Sequence, residues 1–284
     1  MRATVVWLLT SLGRLKVTLT YTAAVVVMEV MLLRLEPAGR LAAINNASTN
    51  LRNLSDGSFT TLIDSAFITQ SEHILVWLPG LVVLLALAEL LWRSRRLVVA
   101  FAVGHIATTL IVAAGIAAAL RAGLVSGSIA DAADVGMSYG AVAVLGVLTF
   151  ALPRRGRAAW AGGWLALAVG SVLVSGADFT AVGHAVALAL GIVIGCRFGA
   201  PEPWTVPRYV LLTVASGFGY ALISYGYLPV SSAAAVVSMG AMVATLLSVA
   251  FRAAQTNSSA LASIQSDSHP CGGDSNNSPG MSHS

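Results

Sequence analysis

Apolar residues gather in eight blocks separated by short polar or basic punctuation, at about 17–34, 73–92, 97–120, 134–152, 158–175, 179–196, 208–225 and 231–251. Each is close to the ~20 residues a helix needs to cross ~30 Å of hydrocarbon. The pattern predicts an all-α, polytopic bundle of membrane-spanning helices. Its connections are short except for residues 35–72, and a connection of that length in a compact protein is usually functional. Residues 3–13 (ATVVWLLTSLG) extend the first helix or lie along the interface. The run Val17–Leu33 is longer than the ~7–15-residue core of a signal peptide and contains Glu29, so we expect it to be retained as a span. From Ala253 the chain turns rich in Ser, Asn, Gly and Pro, a composition that cannot bury a core, and a disordered tail is expected.

Composition narrows the class. Of 284 residues 57% are hydrophobic and 10% charged, against about 25% charged in an ordinary soluble domain. The mean hydropathy is +0.82. A soluble globular protein, a disordered chain and a disulfide scaffold are excluded. The net charge of +4 is a topology signal and not a nucleic-acid signal, because the arginines sit between apolar blocks. With the N-terminus in the cytoplasm, 12 of the 16 Lys and Arg fall inside. Only Arg34, Arg40, Arg52 and Arg121 fall outside, while the acids Glu36, Asp56, Asp64, Glu72, Asp131, Asp134 and Asp178 collect there. This predicts a multi-pass plasma-membrane protein with both termini cytoplasmic. Cys196 and Cys271 are then both cytoplasmic and unlinked. No Cys/His cluster suggests a metal, and nothing suggests a cofactor.

Ionisable residues inside spans are costly and hence functional candidates. They are Glu29, Glu89, His105 and His184, with His73, Asp134 and Asp178 at span ends. Glu89 precedes Arg93 by four residues, which predicts an ion pair along the helix. Glu29 leans toward Arg34 or faces the bundle. His105, with Thr109 one turn on, reads as a packing histidine nearer the inner side. The strings Gly136-Met137-Ser138-Tyr139-Gly140 and Asp178-Phe179-Thr180-Ala181-Val182-Gly183-His184 open the fourth and sixth spans. At ~1.5 Å per residue, Ser138 lies about 6 Å below Asp134 and His184 about 9 Å below Asp178. A serine and a histidine therefore share a shallow depth on two helices running the same way. A histidine that accepts the serine proton makes a nucleophile at neutral pH. Gly136, Gly140 and Ala143 on one helix, and Gly183, Ala187 and Gly191 on the other, allow close backbone approach. Asp134 reads as a helix N-cap. Against these stands the ordinary fate of a membrane serine, which bonds back to its own helix, and of a lone histidine, which packs.

Order and spacing resemble the rhomboid intramembrane serine proteases. That family carries a GxSx serine at the outer end of the fourth helix of a six-helix core. Its base histidine is in the sixth, with small residues three and seven positions on. Here these are Ser138, His184, Ala187 and Gly191. Ser65-Ala66-Phe67-Ile68 before His73, the apolar run Leu81–Leu87, and Glu89 before Arg93, Arg95 and Arg96 are similar to the family's second helix. The resemblance implies a Ser138/His184 dyad without an orienting Asp. It also implies an oxyanion site held by His73 and the Ser138 backbone N–H, with Gly136 in support, and cleavage of transmembrane segments near the outer leaflet. Two departures stand out: Trp77 replaces the family Asn four residues after His73, and Tyr139 replaces the Gly after the nucleophile. The implied organisation is a cytoplasmic or interfacial N-terminus (1–16), a rhomboid-like six-helix core (17–196), two additional spans (197–252) and the tail (253–284).

Three functions remain open on sequence grounds. The first is an intramembrane serine protease. The second is a catalytically inactive rhomboid-like protein that binds partner transmembrane helices, favoured by Trp77 and Tyr139. The third is a small-solute transporter using His105 and Glu29, although no internal repeat supports it. In all three the partner is the lipid bilayer, with transmembrane proteins as substrates or partners in the first two.

Overall fold

The computed structural model describes residues 13–69 and 74–224. The predicted span 231–251, the tail with Cys271, and His73 lie outside the described residues. Among the described residues the secondary structure is helical throughout. The first span is α1 (Lys16–Leu33), followed by three short helices, α2 (Pro37–Ala47), α3 (Leu51–Ser55) and α4 (Thr61–Asp64). The second and third spans form α5 (Ile74–Arg121), continuous except for non-helical geometry at Arg93. A 3₁₀ turn at Gly127–Asp131 leads to α6 (Ser138–Val147), which ends in a second one at Leu148–Ala151. Then come α7 (Arg154–Val174), α8 (Phe179–Gly195) and α9 (Val206–Ser224). Helices α1, α5, α7 and α9 are long and apolar enough to cross a membrane, and α6 and α8 are shorter apolar helices. The chain is a multi-pass membrane protein.

The centre of the bundle is α6. Every residue from Tyr139 to Val147 is buried, as expected of a helix that is apolar on all sides. It runs against α5, α8 and α9, and Trp160 and Trp164 of α7 are fully buried nearby. Helix α9 belongs to this packing: Phe218 covers Gly80 of α5, and Gly219 admits Leu145 of α6.

Connections gather at two ends. At the end we term the arginine end, the α5 break exposes the last carbonyls of its first arm, which need partners. The 198–208 connection supplies them. Glu202 N–H donates to the Leu91 carbonyl at 2.9 Å, and Arg208 Nη2 donates to the Leu90 carbonyl at 3.1 Å. Arg93 takes φ +69°, the left-handed region that non-glycine residues rarely adopt. Its guanidinium turns to Glu202 at 3.8 Å. The expected Glu89–Arg93 pair is therefore not made, because the helix ends between them. Glu89, fully buried, instead accepts from Val17 N–H (3.0 Å), from the Thr18 N–H (2.9 Å) and hydroxyl (2.7 Å), and from the Ser94 hydroxyl (2.5 Å). It fastens the start of α1 to the α5 break.

At the opposite end, which we term the loop end, the long first connection is a folded plate and not an open loop. Pro37 at the first turn starts α2, where its missing N–H costs nothing. Asn50 caps α3 by accepting from the Asn53 N–H at 2.8 Å. Leu32, Ile44, Ala47 and Ile68 form a small core of their own. Glu29, near the end of α1, pairs with Arg40 of α2 at 3.1 Å, not with Arg34.

Candidate functional site

His184 stands in the second turn of α8. Asp178 starts that helix by accepting from the Thr180 and Ala181 N–H groups at 3.0 and 3.4 Å. The imidazole is 4% exposed, and neither of its ring nitrogens has a hydrogen-bond partner among the described residues. It packs edge-to-face on Tyr139, with ring centroids 5.8 Å apart and planes at 79°. Ser138, one residue before Tyr139, is the half-buried first residue of α6. Its N-cap, Met137, provides no side-chain cap, so the first-turn N–H groups of α6 have no intrahelical partner. The two residues thus stand at the loop-end starts of adjacent helices, and no hydrogen bond joins Ser138 to His184.

Helices α6 and α8 are as close as backbones allow. A Cβ on Gly191 would lie 2.0 Å from the Ala143 carbonyl oxygen, and one on Gly146 2.5 Å from that of Leu188. Gly183 touches the Tyr139 ring, where a Cβ would come within 2.4 Å. Ala187 is fully buried. Gly140 faces α5, against Phe101.

The backbone ahead of Ser138 is irregular and held by the plate. Helix α6 begins at Ser138, four residues later than expected, so Asp134 is not its N-cap. Asp134 N–H donates to the Ser48 hydroxyl at 2.8 Å, and its carbonyl accepts from Thr49 N–H at 3.0 Å. Burial pushes its carboxyl up to about 6, against the opposing effect of a hydrogen bond from Tyr139. Gly136, at φ +123°, donates its N–H to the Ser65 carbonyl at 2.8 Å. That contact anchors the turn ahead of Ser138 to the plate. Nearby, Arg52 grips Asp131 at the surface, with Nη2 to Oδ2 at 2.8 Å.

A second serine–histidine pair escaped the sequence reading. Ser65 Oγ lies 3.1 Å from His105 Nε2 and 2.8 Å from Thr49 Oγ1, which also reaches the Thr61 carbonyl at 2.8 Å. Thr49 Oγ1 donates to Ser65 Oγ, and the Thr61 carbonyl also accepts from the Ser65 N–H at 3.0 Å. The Ser65–His105 contact fastens the plate to α5. The loop end reaches down to His105, 12 residues past the break at Arg93 and 16 before the end of α5 at Arg121. The signal was present in Ser65 and His105 separately, but 40 residues of chain lie between them.

Of the remaining predicted positions, Trp77 is half-buried and meets Phe218 of α9 edge-on at 6.4 Å, and His73 is outside the described residues. Cys196, at the end of α8, is an exposed free thiol. Among the described residues no three His, Cys, Asp or Glu side chains converge as a metal site would require.

A family model described as rhomboid-like protein matches residues 14–200, more than half of the chain. No curated protein and no solved structure matches it.

Proposed function

The chain belongs to the rhomboid-like family, and from that premise we propose that it is an intramembrane serine endopeptidase with Ser138 as nucleophile and His184 as general base. The observation that carries the proposal is His184 itself. Buried polar groups almost always have partners, yet among the described residues this imidazole has none for either nitrogen while it abuts the residue next to Ser138. A base that waits for a proton has this character. Catalytic hydrogen bonds are often long or unmade before substrate arrives.

Depth supports the reading. Helix α6 with its 3₁₀ turn covers residues 138–151, which rise about 21 Å, some 9 Å less than the hydrocarbon thickness of ~30 Å. Ala151 stands at the arginine end, where its carbonyl accepts from Trp204 Nε1 at 2.7 Å. Ser138 is then recessed below the other interface, close enough to it for water to enter. Irregular backbone at such depth is tolerated only when protein satisfies it, and the Ser65, Ser48 and Thr49 contacts to residues 134–136 do this.

In the proposed reaction, Ser138 Oγ attacks the scissile carbonyl of an unwound transmembrane segment as His184 takes its proton. The first-turn N–H groups of α6, with His73, stabilise the oxyanion. His184 then protonates the leaving amine, and water, deprotonated by His184, releases the acyl group. The positive-inside rule puts the arginine end in the cytoplasm and the loop end outside, in the plasma membrane with both termini inside. The six-helix core at 17–196 carries the chemistry, while 1–16, 197–252 and 253–284 flank it. Hydrolysis of a quenched fluorogenic transmembrane peptide by proteoliposomes tests this. Wild type should cleave it and Ser138→Ala should not.

One observation favours a second reading, a non-catalytic protein that binds partner transmembrane helices. Tyr139 occupies the edge of His184, and Trp77 is engaged with Phe218. Folded wild type that binds the peptide and leaves it intact would select that reading. The transporter reading loses its basis, because Glu29 is paired with Arg40 and His105 with Ser65.

A further inference from the structure

A cavity of about 310 Å³ opens between α1, the 62–67 segment and α5. That volume is at the small end of the ~300–1,000 Å³ of ligand sites. Its walls include Leu62, Phe67, Leu97, Val98, Phe101 and Ile106. Two polar side chains also line it, each with one polar atom engaged with protein, while His105 Nδ1 is buried without a hydrogen-bond partner among the described residues. Tyr21 donates its hydroxyl to the Ala66 carbonyl at 2.6 Å, and His105 Nε2 holds Ser65. The walls therefore select hydrocarbon. From Val98 to Ile106 the groove follows about 12 Å of helix, most of the ~15 Å depth of one hydrocarbon leaflet.

Its arginine end is marked by charge. Glu89 Oε1 accepts from both Val17 N–H and the Ser94 hydroxyl, which draws the start of α1 to the start of the second arm. Lys16 and Arg95, the neighbours of those two residues, are thereby brought to the same end of the groove. Arg95 lies one turn before Val98, on the groove's face of the helix. Both cations are exposed, and neither makes an ion pair among the described residues. Arg14 and Arg93 at the same end are both drawn to Glu202.

We propose that this groove holds one acyl chain of an anionic phospholipid, with its phosphate against Lys16 and Arg95. A hydrocarbon slot one leaflet deep, closed at one end by two cations without acidic partners, matches that molecule in both shape and charge.

The test is native mass spectrometry of the full chain in detergent, titrated with phosphatidylglycerol or phosphatidylcholine of the same chain length. Wild type is expected to retain one phosphatidylglycerol in preference to phosphatidylcholine. Lys16→Gln and Arg95→Gln are each expected to cut that preference about five-fold. Ala102→Phe, which fills the groove, is expected to lose both lipids without a change in melting temperature in lipid-free detergent. Ile63→Trp, at an exposed rim position, makes the same test if that variant fails to fold. Equal retention of the two lipids by wild type, or undiminished retention by a folded groove-filling variant, would overturn the proposal. So would displacement of the lipid by a transmembrane peptide regardless of headgroup, which would assign the groove to a protein partner.

Discussion

The edge of one ring on the face of another, His184 against Tyr139 at 5.8 Å and 79°, sets the geometry of the candidate site. Gly183 beside it leaves the tyrosine its place. A methyl group there would press on a side-chain ring, which can turn, whereas one at Gly191 would press on the Ala143 carbonyl, which cannot. We therefore expect Gly191→Ala to cost about 1–3 kcal/mol of stability by overpacking. Gly183→Ala should cost less stability but lower catalytic rate by moving Tyr139 on His184. Thermal unfolding in detergent and peptide cleavage by the same samples separate the two effects.

Glu89 accepts four hydrogen bonds in the dry interior, two of them from the backbone of α1. Glu89→Ala leaves these donors unmatched, at about 1–3 kcal/mol for each group left buried. The variant should fold poorly, and Glu89→Gln should recover part of the loss. Arg93→Ala should be nearly neutral, because Arg93 is 80% exposed at the side chain and its contact with Glu202 is a surface pair. Melting temperatures of the three variants check this, and equal losses for Glu89→Ala and Arg93→Ala would contradict it.

Ser65 and His105 form the hydrogen-bonded pair, and their contact fastens the plate to α5. Ser65→Ala should lower stability by about 1–2 kcal/mol and leave a reactive serine elsewhere in the protein. Probe labelling that vanished in Ser65→Ala while the protein stayed folded would show the wrong serine to have been chosen.

Asp134 makes stability depend on pH. Burial raises its folded pKa to about 6 from an ordinary value near 3.8. The native state therefore binds the proton more tightly than the unfolded chain does. The stabilisation this gives is complete below pH 4 and is lost as pH rises through 6. The melting temperature of Asp134→Asn minus that of wild type should thus increase between pH 4 and pH 7. A difference that is flat with pH would mean that the carboxyl is not buried.

Much of this architecture follows from short-range pattern. Hydropathy alone places the starts of α8 and α9 to within a couple of residues, and Ser138 and His184 come from local strings. What escapes is set by partners distant in sequence. Glu89 prefers the α1 backbone, 71 and 72 residues away, to Arg93 one turn on, because a helix break intervenes that the 198–208 segment holds. Asp134 has the residue type of a cap but is pulled off the helix by Ser48 and Thr49. The loop plate shows a partial signal, with Pro37 and Asn50 both marking helix starts. Its attachment through Ser65 to His105 depends on tertiary folding that no local period encodes.

The most direct measurement is labelling of the purified protein with a fluorescent fluorophosphonate probe, beside Ser138→Ala, His184→Ala and Ser65→Ala of matched melting temperature. We expect labelling of wild type and Ser65→Ala, and none of Ser138→Ala or His184→Ala. Folded wild type that stays unlabelled, under conditions in which an active rhomboid protease is labelled, would contradict an activated Ser138.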